Sequence, residues 1–437
     1  MDISMPWGSS CLNITLPPKW SFTREILPED FCPRTSINSM LEHALENPIE
    51  RLPLSCRSLA GVKIVIIVDD TSRPTPVNLI FPQVLKQLLR GGARKENITI
   101  VVALGTHAPL SQAEIYNRLG TADLDGYRII NHDCYDPEML CSLGKTPDGA
   151  EVVVNRELCE ADLIIPIGTI EPHLLAGFGG GLKNVIPGCA GMETIAATHL
   201  MGPASERFSS VGRVGEECPT RLRIEAGAQM VPGEYFLVNT VLNSRGETVG
   251  VFCGDPIKAH RAGTQLAAQI YGKVVAEQAD VVISGSYPMD IDLRQGTKCL
   301  PNASAALKEG GLLIAIMRCF QGVGDMTIPD YFLSPELTRI FAQECGTEKI
   351  VEIRSRFCAQ MSMDDRYMLQ FLTEMCRKHH ILVYAPTIPP DTGSRLGTFE
   401  LFDDINVLLE RAAELVPEAR VVYSLPHGGL SYIRCEQ

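Results

Sequence analysis

The chain lacks any long hydrophobic run and any excess of basic charge. No stretch of 18 consecutive apolar residues occurs in its 437 residues, and its first residues lack the basic flank and apolar segment of a signal peptide. Lysine and arginine number 39 against 52 aspartates and glutamates, which gives a net charge of -13 at pH 7. We therefore expect a cytoplasmic protein that binds neither a membrane nor nucleic acid, because nucleic-acid binding depends on a basic surface.

The chain also lacks any Cys-x-x-Cys pair, although it contains 15 cysteines. An odd, scattered set of cysteines in a chain of this size argues against a disulfide framework or a zinc ribbon and favours buried, reduced thiols. Hydrophobic residues make up 45% of the chain and charged residues 21%, which is typical of a folded globular protein. The length predicts two domains rather than one core.

Three stretches in the first half of the chain have the apolar pattern of buried strands and end in polar loops. They cover residues 62–68, 98–104 and 163–167, and the loops after them read DDTSRPTP, GTH and GTIEPH. Helical patterns follow the first two loops. Because the carboxyl ends of parallel strands meet at one edge of a sheet, we expect Asp70, Arg73, His107 and His173 to converge there.

The second half of the chain contains another series of strand and helix patterns. We expect an α/β fold of two domains with mainly parallel sheets and the active site in the cleft between them. We expect residues 1–275 to form the first domain, with an irregular segment, 1–60, packed on its surface. We also expect residues 398–437, a helix and a terminal strand, to belong to this domain. Residues 276–397 form the second domain, which closes over the substrate.

A glycine-rich segment, EPHLLAGFGGGLKNVIPG, follows the third strand and contains His173 and Lys183. Its glycines let the backbone approach a bound phosphate or cofactor closely. The segment is not an ordinary P-loop, because Asn184 stands where Ser or Thr should coordinate magnesium and the glycine spacing differs. His199 lies on the next helical pattern, 192–200, so a zinc site made of His107, His173 and His199 remains an alternative.

Taken together, DDTSRPTP, GTH, EPHLLAGFGGGLKNVIPG and the later ATH closely resemble, in this order and spacing, the lactate racemase family, whose members use a nickel-pincer nucleotide. The resemblance is strongest from Val68 to Leu200 and continues through RQGTK, residues 294–298. It implies a racemase or epimerase of a small 2-hydroxy acid that needs cofactor-building enzymes in its host. The rival hypotheses are a non-catalytic protein that binds a nucleotide-like ligand and a zinc-dependent hydrolase.

The resemblance also implies residue roles. The cofactor is a pyridinium-3-thioamide-5-thiocarboxylic acid mononucleotide carrying nickel, attached through Lys183, with His199 as the protein ligand of the metal. His107 and His173 are the acid/base residues. The positions expected to hold the cofactor are Asp70, Thr71, Gly179, Gly180 and Gly181, and those expected to bind the substrate are Arg73, Gln295 and Lys298. Arginine suits a carboxylate because its planar fork makes two parallel hydrogen bonds.

The sequence departs from the family pattern in the second domain. The family's lactate enzymes carry a tryptophan there, but the only tryptophans here are Trp7 and Trp20, and Phe357 is the candidate replacement. Arg294 stands where those enzymes have an aromatic residue. A substrate-facing Arg294 favours a second anionic or polar group, as in a malate-like or sugar acid, whereas the alternative is a local ion pair with Asp290 or Asp292. The remaining histidines are interpreted as structural or solvated, with His427 undecided.

Overall fold

The structure, a computed structural model, describes residues 1–120, 124–199, 210–330, 332–357 and 361–435. The chain forms two compact units. The first unit contains Asp30–Met201 and Gly212–Ile270, and the second contains Met1–Glu29, Gly202–Val211 and Tyr271–Gln437.

The first unit is built on a mainly parallel sheet. In sheet order its strands are Thr248–Gly254, Leu237–Leu242, Leu163–Thr169, Ile64–Asp69, Ile98–Ala103 and Arg128–Asn131, and Glu234–Tyr235 also pairs with Leu163–Thr169. Only the pair between Leu237–Leu242 and Thr248–Gly254 is antiparallel. Every residue of Ile64–Asp69 and Leu163–Thr169 is buried, as their continuous apolar runs predict for strands covered on both faces.

Helices pack on this sheet and share its core. Ile80 and Phe81 lie in one buried cluster with the strand residues Ile66 and Ile100. The helices are Ile37–Glu46, Val77–Arg90, Gln112–Leu119, Arg156–Glu160, Met192–His199, Pro219–Ala228 and Lys258–Tyr271. Two antiparallel hairpins pair Leu140–Lys145 with Glu151–Asn155 and Pro172–His173 with Gly177–Phe178, and short 3-10 helices cover Leu54–Cys56, Lys95–Asn97, Gly181–Asn184 and Gly215–Glu217.

The second unit is built on a six-stranded parallel sheet. In sheet order its strands are Glu400–Phe402, His380–Tyr384, Leu307–Ile316, Ala279–Gly285, Ala419–Leu425 and Trp20–Glu25. Its helices are Leu293–Gly296, Cys299–Ser304, Pro335–Cys345, Thr347–Phe357, Met363–Lys378, Asp391–Leu396 and Ile405–Leu415. An antiparallel hairpin of Asp2–Trp7 with Ser10–Thr15 and a parallel pair of Gly272–Val275 with Tyr432–Cys435 complete it.

The α/β class and the parallel sheets agree with the sequence prediction, but both chain ends lie elsewhere than expected. Residues 1–29 and 398–437 belong to the second unit instead of decorating or completing the first. The cause is strand pairing, because Ala419–Leu425 lies between Ala279–Gly285 and Trp20–Glu25. The helix expected from residue 398 begins only at Ile405, after Asp404 caps its amino end and a short strand has joined the sheet.

None of the described helices is long and apolar enough to cross a membrane.

Candidate active site

Asp70 and His107 meet at the carboxyl edge of the first unit's sheet. They follow the neighbouring parallel strands Ile64–Asp69 and Ile98–Ala103, and Oδ2 of Asp70 lies 2.5 Å from Nδ1 of His107. Burial opposes ionisation of Asp70, but the hydrogen bonds from His107 and Ser72 together with nearby positive charge outweigh it and hold the pKa of Asp70 below its usual value. The ionised carboxylate can only accept, so Nδ1–H of His107 donates to it.

This contact fixes which nitrogen of His107 is available for chemistry. In the neutral ring the proton on Nδ1 leaves Nε2 as a hydrogen-bond acceptor, which is the form of a general base. The side chain of His107 is 41% exposed whereas that of Asp70 is 8% exposed, so the imidazole is accessible while the carboxylate that accepts its hydrogen bond is buried. The arrangement is the histidine–carboxylate pair of general acid–base sites.

A second buried cluster holds the DDTSRPTP loop in place. Asp69 accepts hydrogen bonds from Thr75 Oγ1, at 2.5 Å, and from Arg118 Nη2. Arg118 also donates to the backbone carbonyls of Asp69, Thr75 and Arg73. Burial raises the pKa of Asp69 to about 6 although Arg118 lies against it. Asp69 and Arg118 thus shape the loop, while Asp70 is the carboxylate directed at His107.

Arg73 connects the first strand-end loop to the third. Its Nη1 lies 3.2 Å from Oε1 of Glu171, a buried carboxylate whose Oε2 has no hydrogen-bond partner. Glu171, rather than Asp69 or Asp70, is therefore the acidic partner of Arg73. The side chain of Arg73 remains 30% exposed, whereas that of Glu171 is 8% exposed.

His173 and Lys183 lie against each other on the glycine-rich segment. Nδ1 of His173 accepts hydrogen bonds from the backbone N–H groups of Leu175, at 3.1 Å, and Ala176, at 3.2 Å. The proton of the neutral ring therefore lies on Nε2, which is 2.5 Å from Nζ of Lys183. His107 and His173 consequently present opposite tautomers.

The glycine run between these residues is enclosed by protein. Gly179, Gly180 and Gly181 are buried, and a Cβ at Gly180 would lie 2.6 Å from Oδ1 of Asn239. Gly180 and Gly181 also have φ values of +66° and +62°, which L-residues rarely adopt. These glycines are thus already required by the packing of neighbouring side chains. Thr71, the other expected cofactor contact, is exposed on its loop.

His199 is the last residue of the helix Met192–His199, and one of its ring nitrogens makes a hydrogen bond to the helix backbone. Its Nδ1 lies 2.9 Å from the carbonyl oxygen of Ile195, which can only accept, so Nδ1 carries the proton. Nε2 is then the lone-pair nitrogen, the form in which histidine binds a metal, with the backbone hydrogen bond orienting the ring. Among the residues described, no group of three or more His, Cys, Asp or Glu side chains could hold a metal ion. The three-histidine zinc site therefore gains no support.

The expected substrate residues of the second domain follow the strand Ala279–Gly285. Asp292 caps the short helix Leu293–Gly296, which carries Arg294 and Gln295, and Lys298 comes just after it. Arg294 forms an ion pair with Asp325 at 2.9 Å, a partner that the sequence analysis did not consider.

Two further expectations concern the second unit. The ring of His427 packs edge-on against Tyr287 with a centroid distance of 5.2 Å. The side chain of Phe357 lies outside the described part of the chain.

Sequence reasoning missed several residues that shape the site. Arg118, Glu171 and Asn239 hold the strand-end loops, and Arg221 and His260 hold the glycine-rich segment. His260 was interpreted as standing apart from the loops, but its Nε2 lies 2.9 Å from the carbonyl oxygen of Gly179. The apolar spacing of its helix gave no signal for this contact, because the partner lies 81 positions earlier.

Fold and site together define an α/β enzyme with two imidazoles, an arginine and a lysine at the carboxyl edge of a parallel sheet. Residues 7–210 match the lactate racemase N-terminal domain and residues 274–433 the lactate racemase C-terminal domain. The lactate racemase of Lactiplantibacillus plantarum is 29% identical over 409 residues, which cover 90% of both chains. That of Thermoanaerobacterium thermosaccharolyticum is 31% identical over 328 residues, covering 74% of this chain and 76% of the relative.

Structural comparison agrees with the sequence matches. The structure of the lactate racemase apoprotein from Thermoanaerobacterium thermosaccharolyticum superposes with a TM-score of 0.80 and 25% identity, covering 99% of this chain and 100% of that chain. The chain therefore belongs to the lactate racemase family, and it is an isomerase of the racemase class.

Proposed function

We propose that this protein is a nickel-pincer nucleotide-dependent racemase or epimerase of a small 2-hydroxy acid that is lactate-like, malate-like or a sugar acid. The observation that carries the proposal is the pairing of Asp70 with His107 and of His173 with Lys183 on neighbouring strand ends of one sheet. Binding alone would not need two imidazoles with oriented tautomers. Racemisation does, because each enantiomer presents its hydroxyl proton to a different base.

Two observations support a fit to the cofactor. A free amine is the nucleophilic form of lysine, and Nζ of Lys183 lies 2.5 Å from Nε2 of His173, the nitrogen that can exchange a proton with it. Nε2 of His199 has the lone pair that a nickel ion needs. In the proposal Lys183 attaches the nucleotide and His199 ligates its metal. When bound, the cofactor supplies the acceptor for the hydride that leaves C2 of the substrate.

The chain's own residues bind the acid and move its hydroxyl proton. Arg73 engages the substrate carboxylate with its planar fork, held in direction by Glu171. Nε2 of His107, in its acceptor form, takes the hydroxyl proton of one enantiomer while Asp70 stabilises the resulting imidazolium. In the proposal His173 is the acid/base residue for the other enantiomer. Gln295 and Lys298 contribute further polar contacts to the substrate.

The test is racemisation by the cofactor-loaded protein, followed by chiral chromatography on enantiopure lactate, malate and sugar acids. We expect at least one acid to be racemised or epimerised from both enantiomers. His107→Asn should abolish the reaction while the protein retains its nickel. His173→Asn should also abolish the reaction, and it should lower nickel loading because Lys183 loses its contact with the imidazole. Activity that survives in both variants contradicts the assigned acid/base roles.

A further inference from the structure

Arg221 is a fully buried arginine that donates hydrogen bonds to three carbonyl oxygens of one loop. It lies on the helix Pro219–Ala228 and is 1% exposed. Nε donates to the carbonyl of Ala176 at 3.2 Å, Nη1 donates to that of Gly180 at 3.1 Å, and Nη2 donates to that of Phe178. A buried guanidinium is costly unless its donors are satisfied, so three carbonyls from one short loop account for its position.

His260 holds the same loop from a second helix. Its Nε2 donates to the carbonyl of Gly179 at 2.9 Å, and its Nδ1 accepts from Arg261 at 2.8 Å. Burial and the neighbouring charges of Arg221 and Arg261 hold the pKa of His260 well below its usual value, so the ring is a neutral donor. Arg221 and His260 together therefore bind the carbonyls of residues 176, 178, 179 and 180.

The loop fits these side chains closely. A Cβ at Gly181 would lie 2.9 Å from Cδ2 of His260 and 3.2 Å from Nη1 of Arg221. On the opposite side, Oδ1 of Asn239 accepts the N–H of Gly181 at 2.7 Å. In this conformation Gly181 therefore lies in contact with all three side chains.

We propose that Arg221 and His260 are positioning residues that set the imidazole of His173 and the amine of Lys183 relative to each other. The loop they bind, residues 174–182, is the only chain segment between these two residues. If its carbonyls lose their donors, the His173–Lys183 contact loses its support while both side chains remain present. The inference rests on the proposed roles of His173 and Lys183.

The first test uses the full-length apoprotein and needs no cofactor. Hydrogen exchange read by mass spectrometry should show faster exchange across residues 174–184 in Arg221→Lys by at least about tenfold, the factor that loss of one charge-assisted hydrogen bond gives. His260→Leu should do the same, whereas His260→Gln, which keeps a neutral N–H donor, should stay close to the wild type. Arg354→Lys is the matched control, because Arg354 is also buried but donates to Leu396 in the other unit.

The second test uses protein coexpressed with a cofactor-building system. Arg221→Lys and His260→Leu should reduce the fraction of the Lys183 peptide that carries the added cofactor mass, whereas His260→Gln and Arg354→Lys should not. In Arg221→Ala, added guanidinium ion at non-denaturing concentration should restore loop protection.

The two tests separate this inference from the proposed function. If the Lys183 peptide of the wild type gains no cofactor mass, the proposed cofactor attachment is wrong. Hydrogen exchange across residues 174–184 then still tests whether Arg221 and His260 position the loop. Unchanged exchange across residues 174–184 in both Arg221→Lys and His260→Leu overturns the inference. Exchange in His260→Gln as fast as in His260→Leu overturns the role assigned to the His260 N–H.

Discussion

Replacing Asp70 by asparagine tests how the site controls the tautomer of His107. Oδ1 of Asp70 accepts from the backbone N–H of Ser72 at 3.0 Å and from its hydroxyl at 2.5 Å, while Oδ2 faces His107. In Asp70→Asn the amide oxygen should keep the place of Oδ1, because the backbone N–H of Ser72 can only donate. The amide NH2 group then faces Nδ1 of His107, which must become an acceptor, so the ring proton moves to Nε2.

That proton blocks the nitrogen proposed to take the substrate's hydroxyl proton. We expect the rate of racemisation to fall by about 10³- to 10⁴-fold, the cost of a wrong histidine tautomer in a catalytic site, which corresponds to about 4–5.5 kcal/mol of transition-state stabilisation. The assay is kcat/KM of the loaded enzyme from each enantiomer, together with ¹⁵N chemical shifts of His107 in the apoprotein. Ser72→Ala is the control and should have a small effect, since it keeps the backbone N–H. Activity of Asp70→Asn within about threefold of the wild type, or unchanged ¹⁵N shifts, refutes the reasoning.

Three other predictions follow from single contacts. Arg73→Lys should lower kcat/KM by about 10- to 100-fold, mainly through a higher KM. Lysine lacks the planar fork that binds a carboxylate with two hydrogen bonds, and Glu171 still attracts the ammonium group. An unchanged KM contradicts this. Asp325→Asn removes the negative charge that lies 2.9 Å from Arg294, so the kcat/KM ratio of malate to lactate should rise by about two- to fivefold, the scale of a solvent-exposed ion pair; an unchanged or falling ratio contradicts a substrate-facing Arg294. The pKa of His260 is lower in the folded protein than in the unfolded chain. Below about pH 6.5 the unfolded chain therefore binds a proton at His260 that the folded protein does not, and the free energy of unfolding decreases as the pH falls. Urea unfolding of the apoprotein at pH 7 and pH 5 gives the change of the free energy of unfolding with pH. This change should be smaller in His260→Gln than in the wild type, by up to about 1.4 kcal/mol per pH unit, and an equal change in the two proteins contradicts a neutral buried ring.

The sheet of the first unit and its strand-end loops could be predicted because their signals are local. A continuous apolar run marks Ile64–Asp69 and Leu163–Thr169. Ser111 and Glu114, three residues apart, form a capping box at the start of Gln112–Leu119, which is a signal that the sequence alone carries. Parallel order then brings polar residues to one edge without any knowledge of side-chain contacts. The convergence of Asp70 with His107 follows from that order alone.

Contacts distant in sequence could not be predicted. Trp20–Glu25 joins Ala419–Leu425 across almost the whole chain, and nothing in its short, partly exposed pattern indicates that partner. Arg221 and His260 have no polar neighbour in sequence that suggests the glycine run. The ion pair of Arg294 with Asp325 could not be predicted either, because Asp290 and Asp292 are nearer in sequence; in the structure Asp290 pairs with Arg318 and Asp292 caps a helix.

The most direct test of the central claim is the nickel content and the mass of the Lys183 peptide, measured on the full-length protein after coexpression with a cofactor-building system. We expect bound nickel together with a pincer-nucleotide mass on that peptide, with the mass lost in Lys183→Arg and nickel retention weakened in His199→Ala. A well-folded wild-type protein with neither nickel nor added mass under these conditions would contradict the proposed cofactor chemistry.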